Sequence, residues 1–168
     1  MTSSRTEPNR SSPPTGWRRL VARLPVHLYR IGLGPLLGPR LLLLLHTGRK
    51  TGATHTVVLE VVAHDPRSPA WTVASGFGPT AEWYRNLHAT PKVTIQYGRR
   101  YHAVTADFLP EEEGGRIMVE YASAHPRLAK HLCAYMGFSV DGSPDAFRRA
   151  GRSIPFVRLE GGMEQRAG

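Results

Sequence analysis

The stretch from Leu41 to Val62, LLLLLHTGRKTGATHTVVLEVV, narrows most what this chain can fold into. Five leucines lead into Gly48-Arg49-Lys50-Thr51-Gly52, and a β-branched run from Thr54 to Val62 leads out. Five apolar residues are too few for a helix core. A Gly-x-x-x-Gly turn between two apolar runs predicts a hairpin with a three- to five-residue loop. The tip is charged: a guanidinium, an ammonium and open backbone N–H groups share one turn, which suits a phosphate or carboxylate. A lone Arg-Lys turn is most often merely solvated. The rest of the chain has to decide.

At 168 residues the chain suits one domain, expected over residues 17–160, with disordered ends at 1–16 and 161–168. The leucine pentad is its longest apolar run, far short of the roughly 20 residues a membrane span needs. No signal peptide is evident, because the first sixteen residues are polar and rich in Pro and Ser. The single cysteine, Cys133, excludes an internal disulfide and a multi-cysteine metal site, and a cytoplasmic location is the expectation. Of the net charge of +9, residues 1–30 supply +5 through six arginines against Glu7. The remainder is only mildly basic, so no nucleic-acid partner is expected. Trp17, Leu20, Val21, Leu24, Leu28 and Ile31 recur at helical spacing among those arginines. A helix over 17–31 either packs on its own domain, the commoner outcome, or lies on a membrane surface as a peripheral contact.

Beyond the hairpin, the pattern predicts a turn at His64–Pro69, a strand Ala70–Ser75, and a short helix from Ala81 with Thr80 as its cap. A second hairpin follows, Lys92–Tyr97 with Tyr101–Leu109. Pro110 ahead of Glu111, Glu112 and Glu113 starts a helix that Gly114-Gly115 weakens. Further helices begin at Pro126 and at Ser143-Pro144-Asp145, and a last strand covers Ser153–Leu159. About six hairpin-linked strands with helices inserted late predict an α+β chain built on an antiparallel barrel, rather than a parallel sheet of βαβ units.

No metal motif is present: the eight histidines show no HExxH helix and no carboxylate cluster. Nor is there a GxSxG elbow, a Walker loop or a GxGxxG after a strand. Cys133 reads as core. Three segments remain. They are the cationic turn, the glycine-bearing strand end Ala74-Ser75-Gly76-Phe77-Gly78, and Trp83-Tyr84-Arg85-Asn86-Leu87 on one helical turn. Taken singly, each has an ordinary structural explanation: a turn, a core tryptophan, a helix cap.

Together, as TGRKTG, VASGFG, EWYRNLHATPKVTIQYG and RSIPFV, they resemble the deazaflavin-dependent nitroreductase family of split β-barrel oxidoreductases. The resemblance spans Leu41 to Leu109 and the last strand. It implies an antiparallel split β-barrel with an N-terminal helix, binding coenzyme F-420, a deazaflavin with a phospholactyl and oligoglutamate tail. Arg49, Lys50 and Thr51 would hold the tail. His55, Thr56, Val57, Val58 and Leu59 would line the cofactor, and Ala74, Ser75 and Gly76 would lie along the ring. Trp83, Tyr84 and Asn86 would complete the pocket. Ser75 would face substrate and steady developing charge, and His125 is the candidate proton donor, though a surface histidine before a helix is the plainer reading.

The activity so implied is hydride transfer from reduced deazaflavin to a lipophilic acceptor such as a quinone, enone or nitroaromatic. FMN or FAD on the same barrel is the second choice, and a non-catalytic cofactor- or lipid-binding protein the third. Relatives wall the substrate pocket with tyrosines around the helix that here begins at Pro126. This chain has His125, Leu128 and His131 there, with Tyr121 and Tyr135 close by. Split-barrel relatives are sometimes homodimers, but no stretch of this sequence marks an interface.

Overall fold

A computed structural model describes residues 39–162. The expected helix over 17–31, with its membrane contact, and the leader before it lie outside the described residues. Six strands close into an antiparallel barrel in the order β1-β2-β3-β6-β5-β4. These are β1 (Leu41–Thr47), β2 (Thr54–Asp65), β3 (Ala70–Ala74), β4 (Lys92–Tyr97), β5 (Arg100–Phe108) and β6 (Phe156–Gly161). The β1–β2 hairpin pairs Leu41 with Glu60 through to Thr47 with Thr54, and β1 closes the barrel by pairing its Leu44 with Ile95 of β4. Six residues separate the two strands, more than the three to five expected.

Alternation decides what fills the barrel. Leu42, Leu44, Val73, Ile95, Val104 and Leu159 point inward with Trp71, Trp83 and Leu87 to make one buried cluster. Each such side chain contributes about 1.5–3 kcal/mol by leaving water. A second cluster lies outside the barrel wall, under the helices. β2 contributes to both: Val61 points into the barrel and the next residue, Val62, into the helical cluster, as successive residues of a strand do. The β2–β3 register breaks beside them, between Val61 and Ala63.

Four α-helices complete the described chain: α1 (Glu82–Ala89), α2 (Glu111–Ala124), α3 (Pro126–Tyr135) and α4 (Pro144–Ser153). Three acids stand in the first turn of α2, at the positive end of its dipole. Ser143 caps α4 by accepting from the Ala146 N–H at 3.2 Å. The Gly114-Gly115 pair that weakens α2 locally has a packing reason. A Cβ on Gly114 would sit 2.7 Å from the Gly151 carbonyl oxygen, and one on Gly151 would sit 2.5 Å from that of Gly114. Backbone meets backbone there, so α2 and α4 approach only because both residues lack a side chain.

Several boundaries differ from the sequence reading. β2 runs on to Asp65, into the expected turn. Ala81 rather than Thr80 is the N-cap of α1, because Thr80 belongs to a short 3-10 turn (Gly78–Thr80) and its hydroxyl donates back to the Phe77 carbonyl. α4 continues through Ser153, so the last strand starts only at Phe156, and it extends to Gly161 inside the expected tail. No described helix is long and apolar enough to cross a membrane.

Candidate functional site

The β1–β2 turn and α1 face each other across a cleft of about 640 Å³. The turn is pinned by its own backbone: the Gly48 N–H donates to Ala53 O and the Gly52 N–H to Gly48 O, both at 2.8 Å. Gly52 takes a positive φ of 71°, and a Cβ on Gly48 would lie 2.8 Å from His55 Nε2. Gly52 is therefore required by the backbone of this turn, whereas a side chain at Gly48 would have to displace the exposed His55 ring.

A chain of hydrogen bonds ties the turn to the helix. Asn86, buried on α1, accepts at Oδ1 from the Arg49 backbone N–H (3.1 Å) and from Arg49 Nη1 (3.0 Å). Two donors at that atom fix the orientation of the amide, so its Nδ2 faces His46 Nδ1 at 3.0 Å. An amide NH₂ only donates. His46 Nδ1 must then be bare and the ring proton sits on Nε2. Burial first, then His55 stacked at 5.7 Å, pushes the His46 pKa down to about 4, against an upward pull from Glu82. His46 is therefore neutral at pH 7. On the outer side, Arg49 Nη1 also donates to Glu82 Oε2 at 2.6 Å. That bond holds the Glu82 carboxyl below the usual carboxylate range.

The cleft lining combines two chemistries. Arg49, Lys50, Thr51 and Glu82 bring charge and polar groups, while Val57, Phe77, Ala81 and Trp83 supply apolar surface. Phe77 also meets Tyr135 of α3, ring centroids 6.0 Å apart. Gly76 lies beside it, and a Cβ there would come 3.5 Å from the Tyr135 ring. An aromatic surface thus runs from the cleft toward α3, where Tyr135 is exposed.

Of the expected site residues, Arg49, Lys50, Thr51, His55, Thr56, Val57, Trp83 and Asn86 line this cleft together. The others do not. Val58 and Leu59 belong to the strand beyond it, with Leu59 in the barrel core, and Ala74 packs against the helical cluster. Tyr84 is edge-on to Trp83, His88 and Phe108 at the seam between α1 and β5. Ser75, expected to face substrate, is 1% exposed, and its hydroxyl donates to the Gly78 carbonyl at 2.6 Å. It tethers the loop that carries Phe77. His125, the expected proton donor, ends α2 and packs beside Tyr121, whose hydroxyl donates to Glu60. Neither is among the described residues lining the cleft.

Sequence reasoning missed His46, Phe77, Thr80, Ala81 and Glu82 as lining residues. One signal existed for His46. It follows Leu42 and Leu44 on the inward face of β1 and pairs with His55 across the hairpin. A polar residue in that position, at the mouth of a barrel, needs a partner.

The family model of the F-420H(2)-dependent quinone reductases matches residues 21–131, more than half of the chain. Among solved structures, an F-420-H2-dependent reductase is 24% identical over 72% of this chain and 94% of its own, with a TM-score of 0.49. A structure described as a domain-swapped dimer is 22% identical over 86% of this chain and 100% of its own, TM-score 0.51. A pyridoxamine 5'-phosphate oxidase-related, FMN-binding protein from Nostoc punctiforme PCC 73102 is 13% identical over 88% of this chain and 81% of its own, TM-score 0.50. The last two show the fold, and none of the three shows a function. No curated protein is similar enough in sequence to match. The chain belongs to the F-420H(2)-dependent quinone reductase family and is a deazaflavin-dependent oxidoreductase.

Proposed function

We propose that this protein moves hydride from reduced coenzyme F-420 to a lipophilic acceptor of the quinone, enone or nitroaromatic class, using the cleft between the β1–β2 turn and α1. The single observation that carries the reading is the composition of that cleft. Cations on a glycine-flanked turn and apolar, aromatic side chains line the same space. A ligand with a flat tricyclic body and a polyanionic tail fits both, and about 640 Å³ lies within the usual range for cofactor sites.

Lys50 and Thr51, exposed at the lip, and Arg49 behind them would hold the phosphate and tail, each charge-assisted contact contributing about 1.5–3 kcal/mol. Val57, Ala81, Trp83 and Phe77 would flank the ring and exclude water. When bound, the reduced deazaflavin supplies the hydride. His46, a lining residue kept neutral with its proton on Nε2, would offer a bound ligand a hydrogen-bond donor without adding charge to the cleft. Phe77 and Tyr135 would receive the acceptor. In this reading Ser75 is a support for Phe77 rather than a charge-steadying group, and His125 has no part in proton delivery.

Side-by-side titration with oxidised F-420 and FMN tests the cofactor, and a screen of quinones, enones and nitroaromatics then tests the acceptor. The expected result is saturable F-420 binding that the double substitution Arg49→Ala, Lys50→Ala weakens at least about tenfold. Undiminished affinity in that variant would remove the tail from the turn. A flavin retained through purification, with no affinity for F-420, would replace the cofactor.

A further inference from the structure

We propose that Glu82 is a specificity-determining residue: its carboxylate occupies Arg49 until a more highly charged ligand anion displaces it toward Arg85. The proposal deepens the function above and rests on the turn being where the anion binds.

The geometry separates two tasks that an Arg–Glu contact can perform. Arg49 does not need Glu82 to be held in place. Its backbone N–H and its Nη1 both donate to Asn86 Oδ1, and Asn86 is buried at 4% exposure with its own second contact to His46. Glu82 is added on the outer side, at 2.6 Å from Nη1, on a side chain 71% exposed. What it changes is the charge that an arriving ligand meets. A carboxylate already bonded to the innermost cation lowers the positive potential at the mouth. A weakly charged anion then gains little by exchanging with it, whereas a polyanion gains at several contacts at once.

The displaced carboxylate has somewhere to go. Glu82 Oε1 lies 3.8 Å from Arg85 Nη1, one helical turn along α1, and Arg85 is half exposed. Exchange therefore needs only a rotation about the Glu82 side chain, with no movement of α1 and no unpaired charge at the end. Lys50, next to Arg49 in the same turn, is exposed and lines the same cleft as Arg49 and Glu82. A ligand anion bridging Arg49 and Lys50 would take the place the carboxylate leaves.

A purely structural role predicts something different. Glu82 also opens α1, where an acid suits the helix dipole. If that were all, neutralising it would cost a little stability and leave the cleft's ligands unaffected.

The experiment compares wild type, Glu82→Gln, Arg85→Ala and the double variant in titrations with oxidised F-420 and, independently, with inorganic pyrophosphate. Glu112→Gln serves as a control of equal charge change, because Glu112 pairs with Arg152 on the helical layer. Glu82→Gln is expected to tighten both probes about three- to tenfold, with the control unchanged. Arg85→Ala should weaken them when Glu82 is present and much less when it is Gln, since only then has the carboxylate no need of a second partner. Phenylglyoxal modification of Arg49, read by mass spectrometry, should accelerate in Glu82→Gln without any ligand.

Equal or weaker binding in Glu82→Gln, or a control that tightens as much, overturns the assignment. Pyrophosphate binding without F-420 binding removes the proposed cofactor, and the Glu82 assignment is then decided on pyrophosphate alone. If neither probe binds, both fall.

Discussion

The cleft side of the molecule and the α2–α4 layer solve the same problem, bringing separate segments close, by opposite means. At the cleft the turn meets α1 through side chains: Glu82 to Arg49, Arg49 to Asn86, Asn86 to His46. In the helical layer α2 meets α4 through the absence of side chains, at Gly114 and Gly151. Polar links placed at a mouth leave donors and acceptors that a ligand can address, and they titrate. A glycine contact offers a ligand nothing and tolerates no added atom. The difference suggests which region carries chemistry and which carries the fold, and it is open to being broken at either end.

The largest effect is expected from Gly151→Ala. The new Cβ would meet the Gly114 carbonyl oxygen at 2.5 Å and Met118 Cβ at 2.7 Å, and a backbone atom cannot swing aside. Overpacking of this kind should cost about 3 kcal/mol net of the roughly 1 kcal/mol that alanine gains in a helix. A thermal melt would show it as a fall of roughly 10 °C. F-420 affinity at a temperature where the variant remains folded should be unchanged. A variant as stable as wild type would mean that the glycines are incidental.

The cleft should instead reveal itself through pH. His46 has a folded pKa of about 4 against 6.5 for an unhindered imidazole. The unfolded chain therefore takes up a proton, as pH falls from 6.5, that the folded chain refuses. The sign is fixed: this contribution is fully present above pH 6.5 and is lost as pH falls toward 4. Its total is on the order of 3 kcal/mol. The groups around His46 are His55, stacked on it, and Glu82, which pulls the other way. Denaturant midpoints at intervals between pH 7 and pH 4 measure the slope, and His46→Gln should flatten most of it. A slope that survives the substitution would place the titration elsewhere.

Much of the barrel was legible because its signals are local. The leucine run that forms β1, the glycine-flanked turn and the Trp83 helix each lie within a few residues, although the loop is one residue longer than expected and the helix cap falls at Ala81 rather than Thr80. The long-range polar links were not. Asn86 and His46 are forty residues apart, and nothing in either segment announces the other. Glu82 reads as an ordinary first-turn acid until Arg49 is beside it. Ser75 misled for a related reason. A hydroxyl at a strand end has two uses, and here the backbone carbonyl three residues on claims it before any ligand can. The Gly114–Gly151 contact was invisible because a local rule, that glycine weakens helices, points the other way. Tertiary packing overrode it.

Asn86→Ala should act on both sides of the cleft's network at moderate size. It removes the acceptor for two Arg49 donors and the donor for buried His46. Leaving such groups without partners should cost about 2 kcal/mol in stability. It should also free Arg49 and lower F-420 affinity, so the same substitution moves folding and binding together, which no change in the helical layer is expected to do. An unaltered dissociation constant with reduced stability would reduce the network to a structural clip.

The smallest effect tests whether position rather than chemistry distinguishes the two regions. Arg152 and Glu112 form an Arg–Glu pair at 2.9 Å between α4 and α2, close in length to the 2.6 Å contact of Arg49 with Glu82. Yet the Arg152 side chain is 45% exposed and that of Arg49 only 17%. Water already solvates both Arg152 and Glu112, so removing one leaves no stranded charge. Glu112→Gln should change stability by about 0.5 kcal/mol or less, shrinking further at high salt. It should leave F-420 and pyrophosphate binding untouched. A double-mutant cycle on the two pairs, read by denaturant melts at low and high salt, compares them directly. Coupling in the helical pair as large as at the cleft would mean that the glycine seam is held by its surface charges after all, and that the division between the two regions is one of appearance.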